Sequence, residues 1–200
     1  METSIITKSG SIIDYVNPDP EQIRLEDIAY SLSNEPRYLG RGNCNFTVAQ
    51  HLLYCLEIAK ELRLSPYLQL RVLMHDFAEA YIKDIPTPLK SCLKDYKEIE
   101  LKIDKAITTR YGLRELSKKE KDRVKLVDWI ALREESKYLD IEIDNTHSFV
   151  KDLHEVEVKP MYYSPATACA LLKKAFADCL DNAFRQAEPH TPYIIIQEEC

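Results

Sequence analysis

The chain has 200 residues, of which 45% are hydrophobic and 30% are charged, and its formal net charge at pH 7 is -6. This length suits one domain with a full hydrophobic core, and the negative charge argues against a stable nucleic-acid partner held by a broad basic surface. With four glycines and no glycine-rich phosphate loop, the sequence excludes the common dinucleotide-binding motifs and favours an all-α fold. No stretch reaches the length of a membrane span, so we expect no membrane partner.

The six cysteines include no Cys-x-x-Cys pair. Several of them occupy apolar positions of helical patterns, where a free cysteine behaves as a small hydrophobic residue. The amino-terminal residues lack the apolar run of a secretory signal. We therefore expect a reduced, cytoplasmic protein.

The first 45 residues predict an extended or irregular segment over 1–20, a helix over 24–33 and a loop over 34–45. A T-x-x-Q capping box at Thr47 then begins a strong helix over 47–63. His51 lies on the apolar face of that helix. A single histidine in such a place is more often a structural core residue than a ligand, so the role of His51 depends on which side chains face it.

The next helix carries the densest group of ionisable side chains. Ser65 and Pro66 begin it as N-cap and first helical residue, and we expect it to run to about Tyr81. On a continuous helix His75 and Glu79 would share one face, because residues four apart are neighbours there. Charged groups among core residues must be neutralised, and a metal ion is one means.

The second half predicts a charged helix over 95–111, another from a capping box at Ser117 to about residue 140, and a third over 167–186. A short helix is expected around 148–153. With no repeat or linker, the prediction is one domain over 1–200, with a core over about 25–187 and a tail over 188–200. The apolar part of that tail could pack on the domain or on a partner subunit.

The inward-facing polar groups of three predicted helices form one candidate site. Asp128 points at least partly into the core, and a buried carboxylate needs a partner. Two imidazoles and two carboxylates could therefore close on one divalent cation, and they are His51, His75, Asp76 and Asp128. Such an oxygen-rich set leaves room for water and suits a catalytic site better than a structural one.

The order H…HD…D resembles that of the HD-domain phosphohydrolase superfamily. More narrowly, the segments VAQH, MHDFAEAYIKDIPTPLK and VKLVDWIALREE are similar to 5'-deoxynucleotidases and to phage-type dATP triphosphohydrolases, and the similarity covers residues 25–138. The resemblance implies a single HD-domain helical bundle that hydrolyses phosphate ester or anhydride bonds of deoxynucleotides. Cleavage of monophosphates and of triphosphates both stay open, with a weak preference for polyphosphates. It also implies a bacterial or phage-infected cytoplasm.

The same resemblance assigns roles residue by residue. It implies one divalent ion (Mn, Co, Zn or Mg), with a second possible alongside substrate phosphates, and the ligands would be His51, His75, Asp76 and Asp128. It implies that Glu79 is the acid or base acting on the attacking water, and that Asp84 orients that water or serves the leaving group. Substrate contacts would come from Arg37, Tyr38, Lys90 and Lys125.

Lys83 is a departure, because the similar proteins usually have glycine immediately before the Asp-Ile-Pro sequence. Relatives of this kind assemble, so the resemblance also implies a homo-oligomer. Two other readings remain open from the sequence. One is an HD phosphohydrolase that acts on signalling nucleotides, and the other is a non-enzymatic nucleotide-binding module on a helical scaffold.

Overall fold

The computed structural model of the protein describes residues 3–142 and 153–185. Except for Leu153, the short helix predicted over 148–153 lies outside these ranges, as does the tail predicted over 188–200. Within the described ranges the chain is mostly helical, which confirms the predicted class at that level. The same ranges contain no helix with both the length and the apolarity needed to cross a membrane.

The described residues form eight α-helices and one small antiparallel sheet, in which Ile5 lies opposite Ile13. The strands are β1 (Ser4–Ile6) and β2 (Ile12–Asp14), so part of the entry predicted as extended or irregular is a hairpin. The helices are α1 (Leu25–Asn34), α2 (Val48–Glu61), α3 (Pro66–Leu73), α4 (Glu79–Ile82), α5 (Thr87–Lys90), α6 (Tyr96–Arg110), α7 (Lys118–Tyr138) and α8 (Pro165–Arg185).

Three predicted helix starts are confirmed by the hydrogen bonds at their caps. The Gln50 side chain accepts a bond from the Thr47 backbone N–H at 3.2 Å, and Ser65 caps α3 by accepting from the N–H of Leu68. At the start of α7, the Glu120 carboxylate accepts from the backbone N–H of Ser117 at 2.9 Å. These bonds satisfy N–H groups that the first turn of a helix leaves without a partner.

The prediction of one helix from Pro66 to about Tyr81 is wrong. The helix α3 ends at Leu73, residues 74–78 form successive turns, and α4 begins only at Glu79. The Nδ1 atom of His75 lies 2.7 Å from the carbonyl oxygen of Val72, the group that a continuing α-helix would bond to the N–H of residue 76. The following N–H groups bond three residues back, as Glu79 does to residue 76, which tightens the winding.

The core has two parts that meet along α2. One part packs α1, α2, α3 and α8 together and includes the fully buried Leu32, Leu52 and Phe77. The other packs α7 against α2 and α3 through residues such as Ile130 and Val127. Because α2 lies between the two parts, a polar side chain on its inward face is surrounded by protein. His51 is therefore fully buried.

Candidate metal centre

Three separated segments bring two imidazoles and two carboxylates to one point. His51 comes from α2, His75 and Asp76 from the turns after α3, and Asp128 from α7. The Nε2 atom of His51 lies 3.3 Å from Nε2 of His75, 3.6 Å from Oδ2 of Asp76 and 3.4 Å from Oδ1 of Asp128. From Nε2 of His75, the same two carboxylate oxygens lie at 3.3 and 3.7 Å.

Three of these separations, at 3.3–3.4 Å, are those of atoms that share one cation, and the other two, at 3.6 and 3.7 Å, are slightly longer. Metal bonds of about 2.1 Å at tetrahedral or octahedral angles place neighbouring ligand atoms roughly 3.0–3.4 Å apart. The donor set of imidazole nitrogen and carboxylate oxygen suits Zn, Mn or Co. The four side chains therefore fit a divalent ion with little movement.

Cys55 is a further group at this point that the sequence analysis treated only as apolar. The ligand atoms of His51, Cys55 and His75 lie within 4.8 Å of one another, so this group could hold a metal ion. The Cys55 sulfur is 3.5 Å from Nε2 and 3.7 Å from Nδ1 of His51. Being almost equidistant from both nitrogens, the thiol lies over the flat face of the ring. The spacing of four residues on one helix face was the available signal.

The charges of the cluster stabilise one another. Burial raises the pKa of Asp76, but the neighbouring His75 and His51 outweigh it and hold that pKa at about 2. Burial lowers the pKa of His75, yet Asp76 and Asp128 raise it well above its ordinary value. In the absence of a bound cation, the acids therefore favour the protonated form of the imidazoles. A cation that binds here must displace those protons, as metals do when they bind histidine.

Glu135 on α7 joins this cluster to a loop, and it was not among the residues predicted from the sequence. Its side chain is fully buried, and its Oε1 atom lies 2.6 Å from Nδ1 of His51. Its other oxygen accepts bonds from Nε of Arg37 at 3.1 Å and from the hydroxyl of Tyr38 at 3.0 Å. The only sequence signal was its place two turns after Asp128, on the same helix face.

The predicted substrate contacts Arg37 and Tyr38 lie beside the cluster. They begin a 3-10 turn, Arg37–Gly40, which we call the Arg37 turn. The Arg37 guanidinium lies 3.8 Å from Oδ2 of Asp76. Tyr38 and Leu39 have φ values of 54° and 57°, a left-handed conformation that is costly for residues with a side chain. The predicted loop over 34–45 thus contains strained backbone next to the candidate centre.

Glu79 is a second buried acid beside the cluster. Its side chain is largely buried, its Oε1 atom lies 3.4 Å from Nζ of Lys90, and its Oε2 atom has no hydrogen-bond partner within the described part of the chain. Burial, together with the charges of Asp76 and Asp84, raises its pKa to about 9. An oxygen of this kind can hold or accept a proton.

Of the remaining predicted residues, Asp84 and Lys90 lie near the cluster, whereas Lys125 does not. Asp84 is half-buried, and burial raises its pKa while Arg37 opposes that shift, so it belongs to the electrostatic surroundings of the cluster. Lys90 also bonds Glu100 at 2.9 Å. Lys125 is exposed and its Nζ lies 4.8 Å from the ring of Trp129. Within the described residues, no recorded contact joins Lys125 to the cluster.

Comparison with known proteins gives partial matches. No protein-family model matches the chain. The chain is 41% identical over 109 residues to "Uncharacterized protein YfdR" of Escherichia coli strain K12, a match that covers 54% of this chain and 58% of that protein. It is 33% identical over 112 residues to "Uncharacterized protein RCAP_rcc00048" of Rhodobacter capsulatus, covering 52% and 56% respectively. The chain thus spans just over half the length of these curated relatives.

Proposed function

We propose that the protein is a metal-dependent phosphohydrolase of the HD-domain type, acting on the phosphate ester or anhydride bonds of deoxynucleotides. One observation carries the proposal. Nε2 of His51, Nε2 of His75 and a carboxylate oxygen each of Asp76 and Asp128 meet at ligand-sphere distances. Next to them, Glu79 has a buried oxygen that finds no hydrogen-bond partner among the described residues, so it is free to bond a substrate or water as an acid or base.

The cationic side chains around the cluster favour a phosphate substrate. The guanidinium of Arg37 lies 3.8 Å from Asp76, and the ammonium of Lys90 lies 3.4 Å from Glu79. Arginine and lysine are the side chains that bind phosphate oxygens through charge-assisted hydrogen bonds. Because Arg37 reaches a candidate ligand and Lys90 reaches the neighbouring Glu79, a phosphoryl group could contact them and the centre together.

The residues have roles that suit hydrolysis. A divalent ion bound by the cluster would lower the pKa of a water ligand and offset negative charge on phosphoryl oxygens. Glu79 would take the proton from the attacking water and return it to the leaving oxygen, a task that suits a carboxyl whose pKa is raised toward neutral pH. Asp84 would orient the water or assist the leaving group, and Arg37 and Lys90 would hold the phosphate.

A product-resolved screen tests the proposal. Protein freed of metal by a chelator is mixed with each dNMP and each dNTP in the presence of Mn, Co, Zn or Mg. We expect release of inorganic phosphate from monophosphates or of an inorganic polyphosphate from triphosphates. The Asp76→Asn variant should lose turnover, whereas Asp178→Asn, which changes an exposed acid paired with Lys174, should not.

Other outcomes of the screen would redirect the proposal. Turnover confined to cyclic dinucleotides or guanosine polyphosphates would support an enzyme of signalling nucleotides. Nucleotide binding without turnover under any metal would support a non-catalytic binding module and overturn the hydrolase. The homo-oligomer and the cytoplasmic location also remain proposals, and light scattering of the purified chain measures the first.

A further inference from the structure

We infer that Glu135 is a positioning residue that couples the Arg37 turn to the metal ligand His51, so that substrate contact and cation binding depend on one carboxylate. The inference rests on the proposed function, because His51 acts as a ligand only if the cluster binds a metal. Through this carboxylate, a movement of the Arg37 turn would alter the position of His51, and the reverse.

The first step is the bond between Glu135 and His51. Both side chains are fully buried, and Oε1 of Glu135 lies 2.6 Å from Nδ1 of His51. A carboxylate can only accept here, so Nδ1 carries the hydrogen and donates it. In the neutral imidazole that a metal requires, the lone pair is then on Nε2, the nitrogen that faces His75 and Asp128. Carboxylates that hold metal-binding histidines in this way set the ring orientation and the tautomer.

The second step is the bond between Glu135 and the Arg37 turn. Its Oε2 atom accepts from Nε of Arg37 and from the hydroxyl of Tyr38. Tyr38 and Leu39 both have left-handed backbone conformations, which persist only where the surroundings hold them. The turn therefore needs stabilising contacts from other parts of the protein, and Glu135 accepts two hydrogen bonds from it.

The end of α7 also holds Asn43, in the loop that directly follows the Arg37 turn. The N–H of Asn43 donates to the carbonyl of Leu139, and its side-chain amide donates to the carbonyl of Tyr138. Since α7 also carries Asp128, the loop that continues from the turn is fixed to the helix that provides a candidate ligand. A displacement of the turn would move Oε2 of Glu135. Because the carboxylate is rigid, Oε1 and its hydrogen bond to His51 would move with it.

An amide side chain cannot replace the two accepting oxygens of the Glu135 carboxylate. Glutamine has one accepting oxygen and one donating nitrogen. Whichever way it is oriented, its nitrogen faces a donor, either Nδ1–H of His51 or Nε–H of Arg37. The Glu135→Gln variant must therefore lose either the support of the ligand or the hold on the turn, although its volume hardly changes.

Metal affinity of the full chain, measured by competition with a chelator, tests the coupling without relying on turnover. We expect Glu135→Gln to bind Mn, Co or Zn about 10–100-fold more weakly than wild type, the usual effect of losing such a partner of a ligand. Tyr38→Phe should weaken binding by about two- to fivefold, as for one lost hydrogen bond, although Tyr38 contacts none of the four ligands directly.

Glu134→Gln is the matched control, because Glu134 is the adjacent carboxylate on α7 and pairs with Arg133 and Lys137 outside the cluster. Its metal affinity should stay within about twofold of wild type. Amide hydrogen exchange gives a second readout. Metal should slow exchange over residues 37–41 in wild type and in Glu134→Gln, but not in Glu135→Gln.

The outcomes separate this inference from the proposed function. If wild type binds none of the metals, both fall. If wild type binds metal and both Glu135→Gln and Tyr38→Phe bind it equally well, the coupling is overturned and the hydrolase proposal stands. Should Glu135→Gln fail to fold, Tyr38→Phe decides alone, and unchanged metal affinity in that variant would overturn the coupling.

Discussion

The Nε2 atoms of His51 and His75 lie 3.3 Å apart, although one residue belongs to α2 and the other to the turns beyond α3. Their rings meet edge to face with centroids 5.2 Å apart. Two imidazole lone pairs repel at this distance unless a proton or a cation lies between them. The flanking oxygens of Asp76 and Asp128 favour a proton or a metal cation between the two rings.

Metal should stabilise the fold. A ligand that binds only the native state at 100 times its Kd adds about 2.7 kcal/mol to the free energy of unfolding, which for a chain of this size raises Tm by roughly 5–10 °C. Thermal melts with chelator and with Zn or Mn measure the shift. His75→Gln should lose it, whereas His154→Gln, at an exposed histidine, should keep it. An unchanged wild-type Tm would contradict the prediction.

Glu79→Gln should separate metal binding from turnover. The amide cannot take a proton from water, so kcat should fall by about 10²–10⁴-fold, while the metal affinity and the metal-induced rise in Tm stay near wild type. Glu98→Gln is a suitable control, since Glu98 is exposed and pairs with Lys102 on α6. A Glu79→Gln variant that keeps wild-type kcat would exclude Glu79 as the acid or base.

Lys90→Gln should reveal which phosphates the site holds. Its ammonium lies between Glu79 and Glu100, and loss of a charged hydrogen bond to a phosphate costs about 1.5–3 kcal/mol, or roughly 10–100-fold in KM. For a triphosphate hydrolase this rise should be larger with dNTPs than with dNMPs. Lys94→Gln, at an exposed lysine nearby, should leave both KM values unchanged. Equal effects on both substrates would argue against contact with the distal phosphates.

Lys83→Gly should relieve backbone strain. Lys83 has φ 76° and ψ 155°, a conformation that is essentially restricted to glycine and costs other residues about 1–3 kcal/mol. Lys83→Ala is the matched comparison, because both variants lose the ion pair with Glu35. After the entropy cost of glycine, the glycine variant should be more stable than the alanine variant by roughly 1–2 kcal/mol. Urea denaturation measures this, and equal midpoints would show that the strain is absent.

Local chemistry accounts for the features that could be predicted from the sequence. The starts of α2, α3 and α7 follow from caps such as Thr47 with Gln50, whose hydrogen bonds close within three or four residues. The candidate ligands were also recognisable, because polar side chains on apolar helix faces require partners. These inferences need only the order of neighbouring residues.

The break after Leu73 could not be predicted in this way. Periodicity over residues 66–81 favours a continuous helix. In the structure, however, Nδ1 of His75 is hydrogen-bonded to the carbonyl oxygen of Val72. The orientation of that ring depends on tertiary packing, which the periodicity does not record. The positions of the cationic side chains could not be predicted from local patterns either. Lys90 and Lys125 looked alike as candidate phosphate contacts, yet the fold brings Lys90 to Glu79 and leaves Lys125 exposed beside Trp129.

By itself, the sequence determined the helical character, the helix starts and the residue types able to hold a cation. Tertiary structure alone decided that His51, His75, Asp76 and Asp128 meet, and that Glu135 joins His51 to Arg37 across 84 and 98 positions of the chain. The physical reason is that hydrogen bonds and ion pairs act over a few ångströms in space. Contacts between distant parts of the chain therefore depend on how helices pack, which no local pattern records.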